Sequence, residues 1–307
     1  MVVSEIIKKE MAEKKHYPVM YREVLELLDI RKRKTIVDCT VGTGAHSYKF
    51  LKAAKPDAHL IGIDRDQNSL DVAAQRLKDF KGQFTLVKEN FINLDIVLEN
   101  LNIKEVDVFL FDLGISTYQL SNSDRGFSFL KEGPLDMRMD NDSFLSAYDL
   151  INNLSETELG NIFKKFGEER HFRKIAHSLV EARKNEPIST TTQLTKIILG
   201  SVPAKSRYYR IHPATRVFQS LRIAVNRELE VLEPALTKAV SFLKKGGRVG
   251  VISFHSLEDR IVKHAFKDYT SKGLVRIVTK KPLVPDNSER EENPPSRSAK
   301  FRVAEKT

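Results

Sequence analysis

Short apolar runs alternate with helix-length segments over the first third of the chain. The apolar runs lie at residues 35–40, 59–63, 84–87 and 106–111. The segments between them carry apolar residues three and four positions apart, as in Leu70, Ala73 and Leu77. Strands that alternate with helices at this spacing predict a parallel, doubly wound sheet.

This rhythm breaks after residue 114. Residues 115–140 show no clear period, whereas residues 143–199 are predicted to be helical, with Ser155 and Glu158 forming a capping box. A long helix over residues 215–245 is then predicted to return the chain to the sheet and to stop at Gly246. The irregular and helical stretch therefore interrupts an α/β pattern that resumes afterwards.

The last part of the chain supplies the remaining predicted strands. A fifth strand is expected at 249–253, a helix after His255, and a closing hairpin from 274–279 and 301–305. Seven strands with a final hairpin are typical of Rossmann-like (class I) methyltransferases. We therefore predict an α/β fold of this class with an inserted all-helical domain. The expected domain bounds are 1–124 with 216–307 for the sheet and 125–215 for the insert.

The turn after the first strand has the features of a ligand loop. Gly42 and Gly44 allow a tight turn and a close approach of the backbone to a bound molecule. Asp64 ends the second strand 20 residues after Gly44, where a carboxylate can accept both hydroxyls of a ribose. Ser47 replaces the third glycine of the dinucleotide fingerprint, and the chain has no Gly-Lys-Ser/Thr phosphate loop. An adenosine-type ligand without a pyrophosphate is favoured, and S-adenosylmethionine fits that description.

Polar or aromatic residues stand at or near the ends of four predicted strands. They are Asp38, Asp64, Phe91 and Asp112. Ligands of doubly wound sheets bind beyond the carboxyl ends of the strands. The sequence therefore predicts that these four residues share one edge of the sheet.

Composition limits the class of protein. The 307 residues are 41% hydrophobic, enough for a large core, and no apolar run reaches the length of a membrane span. The single cysteine, Cys39, lies within the first strand and is expected to be a buried small side chain. The eight histidines show no metal-ligand spacing, so no metal site is predicted. We expect a cytoplasmic protein.

The positive charge is concentrated in one part of the chain. Residues 161–227 contain 14 lysines and arginines, four glutamates and no aspartate. The net charge of this segment therefore equals the formal charge of +10 of the whole chain. Arg207 and Arg210 flank Tyr208 and Tyr209, which suits phosphates and bases of a polynucleotide. We interpret this region as a nucleic-acid platform.

Several long motifs make the chain resemble one family over nearly its whole length. They are residues 16–19 (HYPV), 112–116 (DLGIS), 125–129 (RGFSF), 133–140 (GPLDMRMD), 212–216 (HPATR), 253–260 (SFHSLEDR) and 293–300 (NPPSRSAK). The chain is similar to the bacterial MraW (RsmH) family. This resemblance implies an S-adenosylmethionine-dependent enzyme that methylates the exocyclic N4 of a cytidine in 16S rRNA of the small ribosomal subunit. It leaves open whether the protein is a homodimer.

The resemblance also implies a set of cofactor contacts. They fall on Gly44, Ala45, His46, Asp64, Phe91, Asp112 and Gln119. The loop from Gly44 to His46 would line the methionine end, Asp64 the ribose and Phe91 the adenine, while Asp112 and Gln119 would lie at the reaction edge. The family usually has glycine at position 45 and Ser-Pro where this chain has Thr117 and Tyr118.

No catalytic base is predicted. Asp112 is expected to orient the target amine, with Ser116 and His255 as weaker candidates for a polar role. The aromatic residues of 127–129 and the inserted domain are candidate clamps for a cytidine that has left its stack.

Three other functions compete with this interpretation. A nucleotide-dependent oxidoreductase would need the third glycine of the fingerprint. A non-catalytic RNA-binding assembly factor would bind RNA without methyl turnover. A DNA cytosine-N4 methyltransferase typically carries a Ser/Asp-Pro-Pro-Tyr motif, which residues 112–115 do not match.

Overall fold

The computed structural model describes residues 18–205 and 212–307. Residues 1–17, which include His16 and Tyr17 of the first family motif, lie outside the described residues, as does the Arg-Tyr-Tyr-Arg segment at 207–210.

Seven strands form one mixed sheet in the order β3-β2-β1-β4-β5-β7-β6. The strands are β1 (Thr35–Asp38), β2 (His59–Asp64), β3 (Phe84–Lys88), β4 (Val106–Asp112), β5 (Leu243–Ser253), β6 (Val275–Ile277) and β7 (Lys300–Lys306). Strands β1 to β5 pair in parallel, whereas β7 runs antiparallel to both β5 and β6. The predicted Rossmann-like sheet with its closing hairpin is confirmed.

Helices connect the strands and fill the long segment between β4 and β5. Within the described residues they are α1 (Tyr21–Leu27), α2 (Ala45–Ala53), α3 (Gln67–Arg76), α4 (Leu94–Asn100), α5 (Thr117–Ser121), α6 (Ala147–Asn153), α7 (Glu156–Gly167), α8 (Phe172–Ala182), α9 (Thr191–Ser201), α10 (Pro213–Asn226), α11 (Glu228–Phe242), α12 (Ser256–Ser271) and α13 (Asn287–Glu292). The predicted capping box of Ser155 and Glu158 begins α7.

The sheet unit consists of the chain up to Gly114 and from Leu229 onward. Alternate residues of each strand enter the two opposite cores of this unit, because successive side chains of a strand point to opposite faces. On β1, Val37 packs into one apolar cluster with Phe109, and Ile36 packs into the other with Leu110. Burial on both faces explains why these strands read as continuous apolar runs.

The helical unit spans residues 115–228 and has its own apolar core. These bounds differ from the predicted 125–215 at both ends. Ile115 packs against the core of the helical unit, and Val217 and Leu221 of α10 are buried within it. The spacing of the apolar residues in α10 does not indicate whether this helix packs against a core of the sheet unit or against the core of the helical unit.

The prediction of one long helix over residues 215–245 is wrong. The structure has two helices here, α10 and α11. They are separated at Arg227, whose φ of 51° lies in the left-handed region. The Arg227 N–H closes the end of α10 on the carbonyls of Ala224 and Ile223. The second helix ends at Phe242 and not at Gly246, which lies within β5. Arginine is a good helix former, so the residue type at position 227 does not indicate that the helix ends there.

Candidate active site

Asp64 ties the glycine loop to the end of β2. Its carboxylate accepts a hydrogen bond of 2.8 Å from the Gly42 N–H and one of 2.9 Å from the Asp66 N–H. Burial raises the pKa of Asp64, although these two backbone hydrogen bonds act in the opposite direction. A carboxylate offers about four lone-pair sites, so Asp64 can still accept hydroxyl groups while it holds the loop.

Gly44 is required by both its backbone angle and its packing. Its φ of 79° is left-handed, and a Cβ at this position would lie 3.2 Å from Cα and Cβ of Ala73 on α3. Gly44 is the N-cap of α2, so Ala45 and His46 occupy the first helical turn. The N–H groups of a first turn have no partner within the helix and attract negative charge. This loop end therefore suits a carboxylate.

The serine that replaces the third glycine has a partner of its own. The Ser47 hydroxyl donates a hydrogen bond of 2.7 Å to Asp38 at the end of β1, and both side chains are buried. Burial raises the pKa of Asp38 to about 6, although His46 and the Ser47 hydroxyl lower it. Asp38 was expected at this edge of the sheet, but its pairing with Ser47 was not.

His46 and Asp112 present buried polar atoms without hydrogen bonds. Nε2 of His46 lies 3.4 Å from Oδ2 of Asp112 without the alignment of a hydrogen bond. Among the described residues, neither ring nitrogen of His46 nor Oδ1 of Asp112 has a hydrogen-bond partner. Buried polar atoms without partners are costly, and a ligand with its own donors and acceptors would satisfy them. The backbone of Asp112 is fixed by a 2.7 Å hydrogen bond from its N–H to the Thr40 hydroxyl.

Phe91 lies three residues after the end of β3 and is half-buried. Its ring meets Phe111 edge to face at a centroid distance of 5.7 Å. The Asn90 side chain accepts the Ile92 N–H and so fixes the short turn that carries Phe91. Phe91 therefore stands at the same strand edge as Asp64 and Asp112, as predicted from the sequence.

Gln119, the remaining predicted contact, belongs to the helical unit. It forms a capping box with Ser116 at the start of α5: the Ser116 N–H donates to the Gln119 side chain, and the Gln119 N–H donates to the Ser116 hydroxyl. Both side chains thus have a local structural role, which rigidifies the loop despite Thr117 and Tyr118 in place of Ser-Pro.

His255 is the N-cap of α12. Its Nδ1 accepts the Glu258 N–H, and the buried Glu258 carboxylate accepts the Phe254 N–H. The cap engages Nδ1 of His255, whereas the buried Nε2 has no hydrogen-bond partner among the described residues.

The predicted aromatic clamp at 127–129 is engaged within the helical unit. Phe127 is 6% exposed and belongs to its core. Phe129 stacks on His212 at a centroid distance of 4.7 Å and meets Phe218 edge to face. These ring contacts support the fold of the helical unit, in which Phe127 is buried and Phe129 is half-buried.

Comparison with known proteins identifies the family of the chain. The profile of the MraW methylase family matches residues 13–307. The chain belongs to the MraW methylase family. Methylases of this family depend on S-adenosylmethionine, so the predicted cofactor is confirmed.

Relatives of this methylase match over nearly their full length. The chain is 48% identical over 291 residues to a protein of Persephonella marina named ribosomal RNA small subunit methyltransferase H, covering 95% of this chain and 99% of that one. A protein of the same name from Sulfurihydrogenibium sp. is 50% identical over 288 residues, covering 94% and 98%. A crystal structure of a putative rRNA-methylase from Clostridium thermocellum has a TM-score of 0.49 at 13% identity, covering 95% of this chain and 100% of that chain.

Sequence reasoning missed Glu289 of this methylase. Its carboxylate accepts a 2.6 Å hydrogen bond from the Met20 N–H. Burial raises the pKa of Glu289. Glu289 lies on α13, between β6 and β7, and is 269 residues after Met20, so no local pattern could have connected the two. In the part of the chain that the structure describes, no helix is long and apolar enough to cross a membrane.

Proposed function

We propose that this methylase transfers the methyl group of S-adenosylmethionine to the exocyclic N4 amine of a cytidine in 16S rRNA of the small ribosomal subunit. The observation that carries the proposal is the set of buried polar atoms without partners on His46 and Asp112, beside the glycine loop. Relatives that match this chain from end to end carry the name of a small-subunit rRNA methyltransferase.

The residues of the sheet unit fit the cofactor. S-adenosylmethionine, when bound, supplies a methyl group on a sulfonium that a nucleophile can displace in line. The first turn of α2 would hold the carboxylate of the methionine part, because its N–H groups are free of intrahelical bonds. Asp64 would accept the ribose hydroxyls, and Phe91 would pack near the adenine. Each role uses a group whose position is already fixed by the contacts described above.

The reaction needs orientation more than acid or base chemistry. The N4 lone pair forms the new nitrogen–carbon bond, the carbon–sulfur bond breaks with its electrons on sulfur, and N4 releases one proton to solvent. The lone pair of N4 is delocalised into the ring, so holding the amine close to the methyl group lowers the barrier. Oδ1 of Asp112 can accept an N–H of that amine and aim its lone pair, since no described residue occupies this oxygen.

A methyl-transfer assay tests the proposal. The protein would be incubated with methyl-labelled S-adenosylmethionine and, separately, undermethylated small ribosomal subunits, their free RNA, and duplex DNA. Digestion to nucleosides would identify the labelled product. We expect label in N4-methylcytidine from subunits or their RNA.

Two results would contradict this function. Label in DNA alone would identify a DNA cytosine-N4 methyltransferase. Cofactor binding without label in any substrate would favour a binding-only assembly factor. The comparison of subunits with free RNA would also establish which form is the substrate.

A further inference from the structure

Five exposed cations lie at the junction of α7 and α8 in the helical unit. We call them the 164–174 surface: Lys164, Lys165, Arg170, Arg173 and Lys174. Among the described residues, none of the five has a carboxylate within ion-pair distance. Unpaired cations this close together repel one another, so the surface carries positive charge that the fold itself does not use.

Aromatic rings hold three of these cations in place. Nζ of Lys164 lies 5.6 Å from the ring centroid of Phe172, and Cζ of Arg173 lies 5.4 Å from the same centroid. Nζ of Lys165 lies 5.1 Å from the centroid of Phe166. Phe172 itself packs over Gly160, where an added Cβ would lie 3.4 Å from its ring. The cations are therefore oriented by cation–π contacts, which leave their charge uncompensated.

The two acids within this stretch do not neutralise the surface. Glu169 is buried, and its carboxylate accepts the His171 N–H at 2.7 Å. Glu168 is exposed but occupies the left-handed residue that ends α7. Five cations against these two glutamates leave a net positive surface.

Helix stability does not explain this arrangement. Lys164 and Lys165 lie in the last turn of α7, where cations interact favourably with the helix dipole. Arg173 and Lys174, by contrast, lie in the first turn of α8, where the same dipole disfavours positive charge. Two cations placed against the dipole and without acids indicate a requirement other than folding.

We infer that the 164–174 surface binds the phosphate backbone of the RNA substrate, with Lys164 and Arg173 positioned by Phe172 as a pair of phosphate ligands. The choice of RNA rests on the proposed function, whereas the presence of an anion-binding surface does not. Contacts with phosphates fix the position of a nucleic acid without reading its sequence. The surface would therefore supply affinity for the RNA and not the choice of cytidine.

Binding of a small-subunit rRNA fragment, measured over a series of salt concentrations, tests the inference. The variant Lys164→Glu with Arg173→Glu is expected to bind about tenfold or more weakly at low salt. Its log–log salt slope should fall by roughly 1.4 to 1.8, since each lost phosphate contact removes about 0.7 to 0.9. Lys263→Glu with Lys267→Glu is the matched control, because these exposed lysines lie on a helix of the sheet unit. The control should keep the affinity and slope of the wild type.

A second variant separates orientation from charge. Phe172→Leu keeps an apolar side chain but removes the ring that both Lys164 and Arg173 contact. We expect an affinity about threefold lower with an unchanged salt slope, because both charges remain. Cofactor titration of every variant would verify that the sheet unit is intact.

Wild-type affinity and slope in the Lys164→Glu/Arg173→Glu variant would overturn the inference, as would equal losses in the control. A variant that loses binding to anionic vesicles but not to RNA would assign the surface to lipid and also overturn it. These results are independent of the methyl-transfer assay: a wild type that binds the fragment through this surface but methylates no RNA would refute the proposed function alone.

Discussion

Two groups of basic residues, one in each unit of this methylase, are used in opposite ways. In the sheet unit, Arg248 and Arg276 both contact Glu305, and Lys300 and Arg302 both contact Asp259. In the helical unit, Lys164, Lys165 and Arg173 face aromatic rings and have no acid partner among the described residues. The first set holds strands and helices together, whereas the second is available to a partner.

This difference shows that net charge is informative only after each cation has been assigned its contacts. The formal charge of +10 could be spread over any lysine-rich surface. Several cations of the sheet unit form ion pairs, some of them half-buried, so this part of its charge contributes to stability. Substitutions in the sheet unit should therefore change cofactor binding or stability, and those on the 164–174 surface should change RNA binding.

The largest effect is expected from Asp64→Ala. The change removes two hydrogen bonds that hold the glycine loop and the proposed acceptor of the ribose hydroxyls. The loss of two hydrogen bonds to a charged group should lower the affinity for S-adenosylmethionine about 100-fold. Isothermal titration calorimetry measures it, with Asp71→Ala, an exposed acid of α3, as control. Equal affinities of both variants would remove Asp64 from the site.

Asp259→Asn should destabilise the sheet unit. Burial would raise the pKa of Asp259, but Arg302 and Lys300 outweigh it and hold the pKa below its usual value. Such a carboxylate stabilises the fold above its unfolded pKa and loses that effect as the pH falls. With the Arg302 side chain only 10% exposed, we expect a loss of about 2 kcal/mol at neutral pH.

Thermal unfolding tests this prediction at two pH values. The melting temperature of Asp259→Asn should lie several degrees below that of the wild type at pH 7 and approach it near pH 3. RNA affinity should not change. A melting temperature equal to that of the wild type at pH 7 would mean that these ion pairs do not stabilise the unit.

Relative to the wild type, the Asp38→Asn variant should become more stable as the pH rises. Burial raises the pKa of Asp38 from its usual 3.8 to about 6, so the neutral form is favoured in the fold. An acid with a raised pKa stabilises the fold below its unfolded pKa, and this contribution is lost as the pH rises through 6. The free energy of unfolding of the variant, relative to wild type, should increase by roughly 2 kcal/mol from pH 4 to pH 7.5. Urea unfolding at both pH values measures it, and a constant difference would contradict the prediction.

The smallest effect is expected from Lys184→Gln. This exposed lysine of the helical unit pairs with Glu181 at 2.6 Å. Exposed pairs contribute less than about 1 kcal/mol, and a cation with its own acid offers little to a phosphate. We expect a melting temperature within one degree of the wild type and an RNA salt slope changed by less than about 0.3. If the slope changed by as much as is expected for the loss of one phosphate contact from the 164–174 surface, the distinction between paired and unpaired cations would fail.

The residues of the candidate site were predictable because they stand next to strong local signals. Gly42, Gly44 and Asp64 flank apolar strands, and the carboxyl ends of parallel strands meet at one edge. The contacts of these residues were not predictable. The hydrogen bond of Ser47 to Asp38 and that of the Met20 N–H to Glu289 depend on how separate segments of the chain pack.

The sequence by itself determined the strands, the closing hairpin, the glycine loop and the family, because periodic apolar runs and small-residue turns are local properties. Only the tertiary structure decided that the helix predicted after residue 215 breaks at Arg227 and that α10 joins the helical core. It also decided which cations find acids and which find Phe172. The physical reason is that burial and ion pairing depend on which residues become neighbours. Helices with the same apolar pattern can pack against either of two cores.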